Sequence, residues 1–194
     1  MATVLKRWHP VSRALGIAGV LWATGQTMAA GLPIDAEPPP PEVASALPGA
    51  TLHGRATMRF FGLAIYDVHL WAAAGFTPER YDTQLFALEL RYARRLGGEA
   101  IAERSLVEMR RAGPVDETQA KAWQSAMTRA FPDVVAGDRL TGVNQADGTT
   151  RFFHNARTTA NVSDPAFARR FFGIWLASTT SEPALRRQLI GQAP

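Results

Sequence analysis

The order of periodicities along the chain predicts an α+β domain. Alternating, strand-like segments come first, then two helical stretches, then a hairpin, then two more helices. Strands and helices fall in runs and do not interleave, which argues against a parallel βαβ sheet. Each of the two longest alternating segments also has one wholly apolar or aromatic face and one face with embedded charge, as expected of a sheet covered by helices on one side.

The first 30 residues read as a targeting segment. Lys6, Arg7 and Arg13 precede the apolar run 14–23, and small residues follow to Ala29 and Ala30, where a secretory signal would be cleaved. The run spans ten residues, whereas a bilayer-crossing helix needs about 20. The expected product is therefore a periplasmic or secreted domain with no transmembrane anchor. The chain has no cysteine, so disulfides, thiolate metal sites, a Cys nucleophile and a lipid-attachment cysteine are excluded. Residues 31–50, with Pro33 and the run Pro38 to Pro41, read as an extended polyproline-type spacer. The folded domain is expected over 51–191.

Strands are expected over 57–61 and 63–71. In the second, Tyr66, Val68 and Leu70 point one way and Ile65, Asp67, His69 and Trp71 the other. Gly75 and Pro78 mark a loop. A strand over 85–92 sets Phe86, Leu88, Leu90 and Tyr92 against Leu85, Ala87, Glu89 and Arg91. A helix over 99–111 gathers Ile101, Ala102, Ser105, Leu106 and Met109 on one face. Asp116 with Gln119 signals the start of the next helix, which Pro132 ends. Asp147-Gly148 turns a hairpin with strands over 139–143 and 149–153. Asp164-Pro165 caps a helix carrying Phe167, Phe171, Ile174 and Trp175. A last helix starts near Glu182 and stops at Gly191.

Of 21 bases and 17 acids, residues 1–30 hold three bases and no acid, so the remaining chain is close to +1 and the net charge of +4 belongs to targeting. No Lys/Arg stripe remains to engage a phosphate backbone, and a nucleic-acid partner is not expected. His9, His53, His69 and His154 have no metal-ligand spacing, and HExxH, GxGxxG, Walker and GxSxG patterns are absent. Neither a metal nor a cofactor is expected.

Several stretches together resemble the bacterial chalcone isomerase-like family: Ile65-Tyr-Asp-Val-His-Leu-Trp71, Leu88-Glu-Leu-Arg-Tyr-Ala-Arg94, Ile101-Ala-Glu-Arg-Ser-Leu106, Phe131-Pro-Asp-Val134 with Gly137-Asp138, and Phe171-Phe-Gly-Ile-Trp-Leu176. The resemblance implies an open-faced β-sandwich, a large antiparallel sheet with a helical layer and a ligand cleft between them. It includes plant isomerases that cyclise chalcones and plastid relatives that bind fatty acids. It also implies that a threonine and a tyrosine of the isomerases fall on Phe61 and Ile101, a lysine on Arg104, and a guanidinium near the start of the sheet on Arg55 or Arg59. Chalcone isomerisation needs hydroxyl donors to polarise a ketone and order a phenolate, so no catalytic residue is expected at these positions.

Arg55, Arg59, Tyr92 and Arg104 are thus the candidate ligand-binding residues. Arg104 either pairs with an anionic ligand or forms an i,i+4 pair with Glu108. Arg55 and Arg59 are either anchors or solvated strand residues. Tyr66 and Tyr92 are either core or ligand contacts. Asp67, His69, Glu89 and Arg91 form a candidate polar cluster if their strands are neighbours, either a general base with its orienter or a network stabilising the sheet. The favoured function is binding of a small apolar carboxylate such as a fatty acid. An isomerase or lyase acting through His69, Asp67 and Arg91, or a module that binds an envelope protein at the end of its proline-rich spacer, are the alternatives.

Overall fold

In the computed structural model, which describes residues 37–192, the alternating segments become a six-stranded sheet. The elements run α1 (Pro41–Ala46), β1 (Thr51–Phe60), β2 (Leu63–Ala72), a short 3-10 turn (Pro78–Thr83), β3 (Phe86–Tyr92), α2 (Gly98–Arg111), α3 (Glu117–Ala130), β4 (Arg139–Asn144), β5 (Thr149–His154), β6 (Arg157–Ser163), α4 (Pro165–Leu176) and α5 (Pro183–Leu189). The strands lie in sequence order and every pair is antiparallel. This is the α+β fold expected. The signal segment and residues 31–36 lie outside the described residues. Among the described residues no helix is long and apolar enough to cross a membrane.

Period-2 alternation sorts the strands onto two faces. Val68, Leu70, Phe86, Leu88 and Leu90 turn toward the helices and join an aromatic cluster from α4, in which Phe167 and Phe171 stack with ring centroids 5.5 Å apart. Local chemistry places the helices. The Asp116 carboxylate accepts from Gln119 N at the start of α3. Asp164 accepts from the backbone N–H groups of Ala166 and Phe167, and its other oxygen accepts from Trp123 Nε1 at 2.7 Å, tying α3 to the start of α4. Helix α5 crosses β1 at Gly54, where a Cβ would lie 2.1 Å from Leu189 O, so only glycine lets the two backbones meet.

The fold departs from expectation at three points. Residues 41–50 are not an extended spacer. Pro41 occupies the first turn of α1, where a missing N–H costs nothing. Val43, Leu47 and Ala50 then pack on the outer face of the sheet against Trp71, Ala87, Val143 and Phe153. The described part of the proline-rich stretch is therefore docked on the domain and does not hold it away from a partner. Second, β6 went unread because Arg157-Thr-Thr-Ala-Asn-Val-Ser163 is mostly polar, with only Ala160 and Val162 turned to the core, as suits an edge strand. β1 likewise starts earlier than 57, since a register shift between Leu52 and Gly54 interrupts its alternation.

Candidate functional site

The helical layer does not close completely on the sheet. A cavity of about 320 Å³ remains between the ends of β2 and β3 and helices α2, α4 and α5. Leu90 and Leu140 from the sheet, Ile101 from α2, and Phe171 and Trp175 from α4 make its wall overwhelmingly apolar. Ser105 lies on the same α2 face one turn after Ile101, and its small side chain leaves the space open, its hydroxyl donating back to Ile101 O at 2.8 Å. Sites for small ligands span roughly 300–1,000 Å³ and are lined in this way.

Polar groups enter the cavity at two places. Tyr66 and Tyr92 are register partners on β2 and β3 and sit edge to face with centroids 5.9 Å apart. The Tyr66 hydroxyl accepts from Trp175 Nε1 at 3.2 Å. Tyr92 lines the cavity, and its hydroxyl makes no side-chain hydrogen bond among the described residues. Burial pushes the Tyr66 phenol up to about 12 and raises Tyr92 as well, so both remain protonated donors well past neutral pH. At the mouth, Arg104 NH2 lies 2.6 Å from Glu108 Oε1, with the arginine side chain 63% exposed and the glutamate 8%. Glu108 Oε2 is held separately, by Arg111 Nε at 2.9 Å and by the Ser181 hydroxyl at 2.8 Å.

The four candidate ligand residues divide evenly. Tyr92 and Arg104 line the cavity, whereas Arg55 and Arg59 do not. Arg55 pairs across the sheet with His69 and so lies on the outer face, away from the helices. Arg59 is exposed and donates to Gly62 O within its own turn at 3.3 Å. Strand register, which alternation alone does not reveal across the two irregularities of β1, decides this. Glu108 and Ser181 were missed as site residues. Glu108 is seven residues after Ile101 and therefore on the same helix face, a signal present in the sequence.

Of the four candidate cluster residues, His69, Glu89 and Arg91 come together, behind the cavity. On the outer face His69 is opposite Glu89, and Asp67 opposite Arg91. Glu89 is fully buried and accepts from Trp71 Nε1 at 2.8 Å and Arg91 Nε at 2.6 Å, with His69 Nδ1 at 3.5 Å and Arg139 Nε at 3.4 Å. Burial alone would raise its pKa, but the bonds from His69, Arg91 and Trp71 and the Arg91 charge outweigh that and hold it at about 2. Helix α1 adds a second buried carboxylate, Glu42, which accepts from the Thr141 hydroxyl at 3.0 Å and from Arg139 at 3.5 Å. Asp67 stands apart, exposed and accepting from Thr57 at 2.6 Å. A general base needs access to its substrate. His69 is 6% exposed and faces away from the cavity, so the arrangement binds the sheet to α1.

No curated protein matches the chain in sequence. The crystal structure of a fatty-acid binding protein of Arabidopsis thaliana superposes with a TM-score of 0.57 at 10% identity, covering 74% of this chain and 87% of that one. At that identity the likeness concerns the fold. A family model described as chalcone isomerase-like matches residues 49–191, nearly the whole of the described domain. The six-stranded antiparallel sheet, the helical layer and the gap between them agree with that match, and the chain belongs to the chalcone isomerase-like family.

Proposed function

We propose that the domain binds a small apolar carboxylate, such as a fatty acid, and does not isomerise chalcones. The observation that carries the reading is a predominantly apolar cavity of about 320 Å³ with a tyrosine pair on its sheet side and an arginine at its mouth. That volume lies near the lower end of the range for ligand sites and favours an acid of modest chain length. Arg104 is the cation at the mouth, and its exposed guanidinium can turn to a bidentate carboxylate while Glu108 keeps Arg111 and Ser181. Tyr92 offers a second donor. Phe61 and Ile101 stand where the isomerases are expected to carry hydroxyls, and Phe61 is 90% exposed at a turn. The solved fatty-acid binding protein of the same fold supports the same reading. Export belongs to it too, on the strength of the targeting pattern in residues 1–30.

Native mass spectrometry of the purified protein is expected to show a bound acid, and decanoate should raise the melting temperature more than palmitate. Tyr92→Phe and Arg104→Gln should each weaken decanoate roughly tenfold, the loss expected for one charge-assisted hydrogen bond. No bound acid together with an unmoved melting temperature for both acids would refute the reading.

A further inference from the structure

Of the six large apolar side chains exposed among the described residues, four, Phe60, Phe61, Leu63 and Val135, gather at one end of the sheet. In an antiparallel meander the β1–β2 turn, the chain leaving β3, the entry to β4 and the β5–β6 turn all fall at that end. Phe61 is the most exposed of them at 90%. It also has φ +48°, followed by Gly62 at +78°, a two-residue turn that Asn-Gly would form without strain. A bulky side chain in that conformation is costly, and Phe61 packs edge-on against Phe60 at 4.5 Å and contributes nothing to the core. Stability therefore does not account for it.

The same end is cationic. Arg59, Arg94, Arg95 and Arg157 are exposed and form no ion pair among the described residues. The acids of these turns are engaged in local bonds: exposed Asp133 accepts from Gly98 N at 2.9 Å, and half-buried Asp138 from Val135 N at 2.8 Å and from Asn155. Glu99, in the first turn of α2, is exposed beside them. An aromatic tip that shares its end of the sheet with unpaired guanidiniums matches an anionic lipid surface, where aromatic side chains settle among the headgroups and arginines meet their charge. Apolar burial in the interface and attraction to anionic lipids add to one another in such binding.

We propose that the β1–β2 turn docks the domain on anionic bilayers, with Phe60, Phe61 and Leu63 entering the interface. Phe60 is more than half exposed yet lines the cavity, so docking brings the cavity mouth to the lipid. The inference goes beyond ligand binding and is read without any ligand.

The chain has no cysteine, so a polarity-sensitive dye can be placed at a single site. In the full chain, dye on Leu63→Cys should shift to the blue on vesicles of phosphatidylglycerol with phosphatidylcholine, and stay unchanged on phosphatidylcholine alone. Dye on Ala146→Cys, in the β4–β5 turn at the far end, should stay water-exposed on both, which separates tip insertion from any attachment through residues 14–23. Phe61→Asn should leave the melting temperature equal or higher and reduce the Leu63 signal roughly tenfold or more, as for one aromatic side chain withdrawn from burial. Arg94→Glu with Arg95→Glu should abolish the preference for anionic vesicles. A water-exposed Leu63 dye on every vesicle, an undiminished signal in Phe61→Asn, or a shift that follows protein concentration without vesicles would each overturn the proposal, the last assigning the tip to self-association.

Discussion

Glu89→Gln is expected to cost about 3–5 kcal/mol of unfolding stability, the range for removing one partner from a buried ion pair. A domain of this size has only about 5–15 kcal/mol in total. The amide loses the charge that faces Arg91 and Arg139, and it brings two donors of its own into a site already crowded with donors from Trp71, Arg91 and His69. Arg139 would keep only Glu42, at 3.5 Å. Because α1 rests on this cluster through Glu42, the loss should appear first as release of residues 41–50, seen as faster amide exchange at Leu47 and Ala50. Arg91→Gln should cost much less, since Arg91 is partly exposed and Glu89 retains three partners. Denaturant unfolding of the two variants decides the matter, and a Glu89→Gln change under 1 kcal/mol would mean the cluster is not coupled to folding.

The same carboxylate sets an acid limit. Its pKa is about 2 in the folded domain against an ordinary 4.5, so its contribution is fully present above 4.5. As pH falls from 4.5 toward 2 the unfolded chain takes up the proton first, and stability drops by up to roughly 3 kcal/mol. Below the folded value nothing further is lost from this group. Glu89→Gln should flatten that part of the pH profile, which a global loss of stability would not do.

The parts of the fold that could be read in advance are those where one face is uniformly apolar. β2 and β3 alternate cleanly, and the cross-strand neighbours His69 and Glu89 followed from that alternation once the strands were adjacent. β6 was hidden because its inner face offers only Ala160 and Val162 among polar residues, too weak an alternation to reveal it. The helix at Pro41 was hidden because a proline run suggests an extended chain, although Val43, Leu47 and Ala50 repeat at helical spacing. The side of the sheet on which Arg55 falls depends on a register shift between Leu52 and Gly54, beside the point where α5 approaches the strand. A cavity is still less legible, since it reflects volumes missing between elements, and the pattern of Tyr66 and Tyr92 is the same whether the space beside them is filled or open.

Ser105→Phe tests whether that space is truly open. Ser105 faces the cavity from α2, and its hydroxyl bonds only its own helix backbone, so its loss removes little. If about 320 Å³ is available, a phenyl ring adds apolar burial without compressing anything, and the melting temperature should hold or rise. In a filled interior the same ring would cost about 1–3 kcal/mol through overpacking. The effect on binding is opposite in sign. A ring in the middle of the cavity excludes the chain of the acid and forfeits about 3 kcal/mol of apolar burial, so decanoate affinity should fall by roughly a hundredfold or more. Arg104 and Tyr92 are untouched in this variant, so retained binding at full strength would place the acid elsewhere on the protein. A variant that is at least as stable as its parent yet takes up no acid separates the cavity as a binding site from the cavity as a packing fault.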